Sequence, residues 1–188
     1  MAKLNVVVIE GTTRERRLSI NAARLVAEEG RKLPDVEIVF IDPTEFEFHG
    51  DGNDPEGKNP KYTAITEQAD AFFIVSPEYN HSFPGSLKRL LDSELENYVH
   101  KPVAFAGVSN GGWGGVRMIE ALVNTVREMG LAATFTDVHF PRVQDMFDDK
   151  GKLKPEFAVQ RERIQRTYAE LVWMAKTLKW GRENLPRA

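Results

Sequence analysis

The sequence contains no cysteine. This absence excludes a disulfide framework, a thiolate metal site, a thiol nucleophile and a cysteine-ligated iron–sulfur cluster. Any redox chemistry of this chain must therefore come from a bound cofactor.

Long hydrophobic runs and a strong net charge are also absent. The first apolar run, at residues 4–9, is too short for a signal peptide or a membrane span, and it ends at Glu10. The formal net charge of −3 gives no long-range attraction to nucleic acid or to an anionic membrane. The length of 188 residues suits one domain, over residues 1–188. We therefore expect a cytoplasmic, single-domain protein that binds neither nucleic acid nor membrane.

Short apolar runs alternate along the chain with segments whose apolar residues recur at helical spacing. Such alternation predicts an α/β fold with a doubly wound, mostly parallel sheet. We expect five strands in the order 2-1-3-4-5, which brings the loops after strands 1, 3 and 4 to one edge of the sheet. The predicted strands lie at residues 4–9, 36–41, 71–75, 103–108 and 131–138, and the predicted helices lie at about 19–27, 62–69, 85–92, 116–129 and 155–179.

The loop after the first strand is rich in groups that bind anions. Hydroxyls, an amide and several arginines lie just before a helix, whose free N–H groups and dipole favour negative charge. In the alternative interpretation Ser19 only caps the helix and the arginines are solvated. A Walker A loop is excluded because Arg16 replaces its second glycine, and Thr13 and Arg16 break the Gly-x-Gly-x-x-Gly pattern. The loop therefore fits a terminal monophosphate better than a pyrophosphate.

The loops after the third and fourth strands are the other candidate parts of a site. Residues 77–83 offer a carboxylate, a phenol, an amide, an imidazole and a hydroxyl. In this loop we expect Glu78 to be a hydrogen-bonding carboxylate and His81 to lie at the rim. Residues 109–115 are glycine-rich, which allows close approach to a flat ligand, although a flexible linker is the alternative. Together the loops suit a planar ring with a phosphate tether.

The stretch 49–57 is acidic and rich in turn residues. A calcium loop of the EF-hand type is excluded because Pro55 and Glu56 stand at positions that need a ligand and a glycine. We expect a solvated surface loop near the mouth of the site, and no metal site.

The segment Ser76 to Asp92, SPEYNHSFPGSLKRLLD, resembles the signature loop of the NAD(P)H-dependent FMN reductases. This flavodoxin-like family includes bacterial flavin, quinone, azo-dye and chromate reductases. The resemblance implies that FMN is bound and that NADPH or NADH is the co-substrate. The implied phosphate ligands are Thr12, Arg14, Ser19 and Asn21, with Arg16 and Arg17 as alternatives to Arg14. Pro77, Glu78, Tyr79 and Asn80 are the implied ligands of the ribityl chain and ring, Ser109, Asn110, Gly111 and Gly112 are expected along the ring edge, and Arg117 is expected to attract the phosphate of NADPH.

The resemblance also implies a function. A hydride passes from the nicotinamide through FMN to a second acceptor, which is a flavin, a quinone, an azo compound or a metal oxyanion, and no side chain acts as a nucleophile. The alternatives are a flavodoxin-type electron carrier and a non-redox protein that binds a phosphorylated metabolite. A hydrolase is disfavoured because no Gly-x-Ser-x-Gly motif occurs. Relatives of this kind form homodimers or homotetramers, and the helix after Pro84 is the expected subunit contact.

Overall fold

The computed structural model describes residues 3–50, 52 and 54–186. Its strands are β1 (Leu4–Glu10), β2 (Val36–Ile41), β3 (Ala71–Pro77), β4 (Pro102–Val108), β5 (Ala132–Ala133) and β6 (Val138–Phe140). Its α-helices are α1 (Ser19–Gly30), α2 (Pro60–Gln68), α3 (Gly85–Asp92), α4 (Val116–Glu128), α5 (Val143–Met146) and α6 (Val159–Asn184). Short 3-10 turns lie at Pro43–Glu45, Pro55–Gly57, Glu96–Tyr98 and Pro155–Phe157.

The strands form one parallel sheet in the order β2-β1-β3-β4-β5, and β6 also pairs with β4. The predicted α/β fold and the predicted strand order are confirmed. Ile9 pairs with Ile74, and Ile74 pairs in turn with Phe105. With this register the carboxyl ends of β1, β3 and β4 lie side by side, so the loops that follow these strands share one edge of the sheet.

Helices cover both faces of the sheet because side chains alternate between the faces along each strand. Val6 and Val8 pack in a core with α1 and α6, where Tyr168 is fully buried. Val7 and Ile9 pack in a second core with α2, α3 and α4. Full burial of one such aliphatic side chain stabilises the fold by roughly 1.5–3 kcal/mol. The two cores therefore hold the site-bearing edge in place from both sides.

The fifth strand differs from the single predicted strand at 131–138. It is divided into β5 and β6, and the residues between them leave the sheet. The backbone N–H groups of Phe135 and Thr136 donate to the carboxylate of Glu170 on α6, at 2.5 and 3.1 Å. The side chain of Phe135 is 91% exposed. The Glu170 carboxylate thus takes the N–H groups that a continuous strand would offer to its neighbour.

The loop expected over the mouth of the site is fixed to α3. The Arg89 guanidinium donates to the carbonyl oxygens of His49 and Gly50, both at 2.8 Å, and to that of Gly52 at 3.1 Å. It also lies 5.0 Å from the centre of the Phe48 ring. Most described residues of this loop are exposed, as expected for a solvated surface loop, and these contacts anchor it to α3. Asp51 and Asn53, which belong to that prediction, lie outside the described residues.

Helix α3 does not offer the apolar contact surface that the sequence suggested. Its residues Leu87, Leu90 and Leu91 are fully buried in the core of their own chain. By contrast, Trp173 and Trp180 on α6 are largely exposed. Within the described part of the chain, no helix combines the length and the apolar character needed to cross a membrane.

Candidate functional site

The loops after β1, β3 and β4 surround one cavity of about 390 Å³ at the carboxyl edge of the sheet. Leu18 and Val143 form apolar parts of the cavity wall, and the exposed Arg14 and Arg16 bring positive charge to the cavity. The topology thus assembles the predicted loops as one site. The predicted residues that line the cavity are Arg14, Arg16, Arg17, Ser19, Pro77, Glu78, Tyr79, Ser109 and Asn110.

The first loop is organised around Glu10, a residue that the sequence did not point to. Glu10 ends β1 with an exposure of 0%. Its carboxylate accepts hydrogen bonds from the Ser19 hydroxyl at 2.5 Å and from the Thr12 N–H at 2.8 Å. Burial raises the pKa of Glu10 to about 7, against the opposing effect of these bonds and of the Arg17 charge. In the sequence, the sign of this role was a carboxylate at the end of an apolar strand.

The three arginines of the loop are not equivalent. Arg17 pairs with Asp42 and places its Nε 3.4 Å from the Glu10 carboxylate. All three arginines line the cavity, but Arg14 and Arg16 form no ion pair with a carboxylate of the described residues, and the Arg14 guanidinium lies 6.0 Å from the centre of the Tyr79 ring. The positive charge of Arg17 is therefore balanced inside the protein, and that of Arg14 and Arg16 faces the cavity.

Ser19 makes a hydrogen bond that neither interpretation of the loop included, and its expected role at a phosphate stays a prediction. Leu18 occupies the N-cap position of α1, without a side-chain capping bond. The Ser19 hydroxyl donates instead to Glu10. The Thr12 hydroxyl lies 3.1 Å from the Tyr79 hydroxyl, which connects the first loop to the second. The hydroxyls of this loop thus order the site from within.

Asn21 lies on the first turn of α1 and away from the cavity lining. Its amide faces Gly151, where a Cβ atom would lie 2.6 Å from the Asn21 Oδ1. Gly151 also has a φ of +73°, which favours glycine. The structure therefore places Asn21 against the 148–152 turn.

The second loop leaves β3 and makes a tight two-residue turn. Tyr79 and Ser82 exchange backbone hydrogen bonds of 2.8 and 3.0 Å. Between them Asn80 and His81 have φ values of 50° and 65°, as a type I′ turn requires. Both residues are exposed at the tip, so Asn80 does not line the cavity. The turn fixes Glu78 and Tyr79 on the cavity wall.

Glu78 carries the most direct structural sign of a ligand. Its Oε1 accepts a hydrogen bond from Arg117 at 3.3 Å. Its Oε2 is buried and has no hydrogen-bond partner among the described residues. The Arg117 guanidinium also lies 5.4 Å from the ring centre of Trp113, which is 67% exposed. A buried acceptor without a donor is costly, so Oε2 is suited to an N–H or O–H group of a bound molecule.

The third loop uses its glycines for packing. A Cβ atom on Gly107 would lie 2.4 Å from the Gly114 carbonyl oxygen, and Gly114 and Gly115 have φ values of +60° and +79°. Gly111 and Gly112 face open space and do not line the cavity. Gly107 of β4 and Gly114 and Gly115 of the loop thus allow the backbone of the loop to pack against β4, and the expected approach of the loop to a flat ligand stays a prediction.

A parallel sheet in the order 2-1-3-4-5, with a cationic loop after β1 and a cleft at its carboxyl edge, defines a flavodoxin-like protein with a mononucleotide site. The model of the NADPH-dependent FMN reductase family matches residues 4–145, and the chain belongs to this family. It is therefore an oxidoreductase that uses FMN and NAD(P)H, as the sequence predicted.

The similarity to known proteins extends over most of the chain. It is 29% identical to an NAD(P)H-dependent FMN reductase of Pseudomonas aeruginosa, over 92% of this chain and 96% of that protein. It is 26% identical to a quinone reductase of Pseudomonas putida, over 79% of this chain and 84% of that protein. The solved structure of FerB, a flavoenzyme NAD(P)H:(acceptor) oxidoreductase from Paracoccus denitrificans, has a TM-score of 0.73 and 20% identity, covering 92% and 98% of the two chains. This last likeness supports the fold.

Proposed function

We propose that the cavity binds FMN and that the enzyme reduces a quinone-class acceptor with NAD(P)H. The convergence of three loops on one cavity, with the unpartnered Glu78 Oε2 in its wall, is the observation that carries this proposal. The volume of about 390 Å³ lies within the range of about 300–1,000 Å³ that is usual for cofactor sites. Bound FMN supplies a carrier that takes a hydride from the nicotinamide and passes reducing equivalents to the acceptor.

The first loop is the proposed phosphate site. Arg14 and Arg16 bring positive charge that no carboxylate in the described residues neutralises by an ion pair. The N-terminus of α1 lies at the same cavity, where the positive end of the helix dipole also favours a phosphate. We assign phosphate binding to these groups and loop ordering to Thr12, through its bond to Tyr79.

The second and third loops are the proposed ring site. Pro77 and Tyr79 supply wall, Glu78 Oε2 accepts a hydrogen bond, and Ser109 and Asn110 lie opposite. Burial of a planar ring between loops would exclude water from one of its faces and leave the other open to substrates. Asn21, Asn80, Gly111 and Gly112 lie away from the cavity lining, and their assignment to the cofactor stays a prediction from the resemblance.

Arg117 and Trp113 are the proposed contacts for the substrates. The Arg117 guanidinium is exposed between Glu78 and the Trp113 ring. A guanidinium attracts the phosphate groups of NADPH, and an exposed indole stacks on flat aromatic molecules. The exposed indole suits any flat aromatic acceptor, and the similarity to several quinone reductases supports a quinone among these.

The remaining parts of the proposal concern assembly and location. We propose one functional domain over residues 1–188, a cytoplasmic location, and a homodimer or homotetramer. Because the leucines of α3 are buried, we assign the subunit contact to the exposed Trp173 and Trp180 of α6. Replacement of both tryptophans by glutamate should reduce the molecular mass measured by light scattering, and an unchanged mass would count against this contact.

The proposed function is tested by turnover with a panel of acceptors. We would measure NADPH and NADH oxidation by the FMN-loaded protein with a quinone, an azo dye, free flavin and chromate. The proposal predicts the highest kcat/KM with the quinone. Arg14→Ala should weaken FMN binding about tenfold, whereas Arg24→Ala, an exposed arginine of α1 away from the cavity, should leave it unchanged. Faster turnover with another acceptor, or equal FMN affinity of both variants, would contradict it.

A further inference from the structure

Three donors of the first loop, on Thr12, Arg17 and Ser19, already bind carboxylates of the protein itself. The Ser19 hydroxyl and the Thr12 N–H donate to Glu10, and Arg17 lies between Glu10 and Asp42. A hydroxyl has one proton to donate, so Ser19 cannot donate to Glu10 and to a phosphate at the same time. A phosphate that also recruits the Ser19 hydroxyl, which lines the cavity beside Arg14 and Arg16, must therefore compete with Glu10 for it.

We propose that Glu10 is a proton-carrying residue of the phosphate site, which must take up a proton when the FMN phosphate binds. This inference rests on the proposed function. In its ionised form Glu10 holds the Ser19 and Thr12 donors and repels the phosphate. In its protonated form it no longer repels the phosphate and can release the Ser19 hydroxyl, which lines the cavity, to donate to a phosphate oxygen.

The groups that face Glu10 make it able to change its protonation state near neutral pH. Its surroundings contain one cation, Arg17 at 3.4 Å, and a second anion, Asp42, which shares that cation. Burial favours the neutral carboxyl, and this raises the pKa of Glu10 to about 7. For Asp42, burial is outweighed by the hydrogen bonds from Thr44 and by the Arg17 charge, and the pKa is lowered. Asp42 therefore stays ionised, and Glu10 is the group that titrates.

The linkage has a definite sign. If the phosphate binds better to the protein with protonated Glu10, the FMN affinity falls as the pH rises above the pKa of Glu10, by up to tenfold per pH unit. The phosphate itself loses its second proton near pH 6, which tends to strengthen binding as the pH rises to that point. Above about pH 7 the phosphate is already a dianion, so a further fall in FMN affinity reports the deprotonation of Glu10 alone.

The test compares FMN affinity across pH in matched variants. Glu10→Gln keeps the shape and removes the titration, and Asp42→Asn removes a neighbouring carboxylate that does not bond to Ser19 or Thr12. Flavin fluorescence titrations from about pH 6 to about pH 9 should show affinity falling at least tenfold for the wild-type chain and for Asp42→Asn. The Glu10→Gln variant should show no such fall above about pH 7.

Calorimetry of the wild-type chain gives a second readout that needs no variant. FMN titrations at about pH 8, in buffers of different ionisation enthalpy, should show proton uptake approaching one proton per FMN bound. Parallel pH profiles for wild-type and Glu10→Gln, or no proton uptake, would overturn the role of Glu10 and leave the proposed function intact. Failure of the wild-type chain to bind FMN at any pH would instead overturn the proposed function, and with it this inference.

Discussion

Gly107 offers a sharp test of how the third loop is built. A Cβ atom added there would lie 2.4 Å from the Gly114 carbonyl oxygen and 2.8 Å from that of Gly115. Both atoms belong to the backbone at the start of α4, so no side-chain rotation relieves the clash. Overpacking of this kind costs about 1–3 kcal/mol, and displacement of the loop adds to it. We expect Gly107→Ala to lower the free energy of unfolding by about 3 kcal/mol.

The matched control is Gly112→Ala, in the loop that follows β4. Gly112 faces open space and has no positive φ, so alanine fits without strain. Its effect should lie between zero and a gain of about 1 kcal/mol, from the reduced entropy of the unfolded chain. Urea denaturation followed by circular dichroism measures both variants, and FMN titration should show weaker binding for Gly107→Ala alone. Equal stabilities for the two variants would refute the packing role of Gly107.

Two further predictions concern polar contacts, one at the surface and one in the core. Arg89→Ala removes the hydrogen bonds to the carbonyl groups of the 49–57 loop, so it should lower the free energy of unfolding by about 2 kcal/mol and speed proteolysis in that loop. The control is Lys88→Ala, since Lys88 is exposed on the same helix, and it should change the free energy of unfolding by less than about 0.5 kcal/mol. Tyr98→Phe leaves the fully buried Tyr62 hydroxyl without its partner at 2.7 Å, and should cost about 1–3 kcal/mol in the same denaturation assay. A loss below about 0.5 kcal/mol for Arg89→Ala or Tyr98→Phe would contradict the corresponding contact.

The fold was predictable because its main signal is local. Buried parallel strands have short apolar runs in the sequence, such as 71–75, and in the helices between them the apolar residues recur at helical spacing. The division of the fifth strand was not predictable in this way. It depends on Glu170, which lies 35 residues beyond Phe135 in the chain and meets it only after α6 packs on the sheet.

The site was predictable at the level of loops and less so at the level of single residues. A strand end followed by polar residues identifies a loop, as at Ser76 and Pro77. Which glycine must be glycine depends on tertiary contacts, and these select Gly107 rather than Gly112. The role of Glu10 was hidden for the same reason, because its partners become visible only when α1 docks beside β1.

The visible absorption spectrum of the purified protein shows directly whether it binds FMN and whether a reduced nicotinamide reduces the bound flavin. The spectrum would be recorded with and without added FMN, and then after anaerobic addition of NADPH or NADH. We expect a protein-bound flavin spectrum that bleaches when the reduced nicotinamide is added. A protein that binds no flavin, or that binds flavin without bleaching by either nicotinamide, would contradict it.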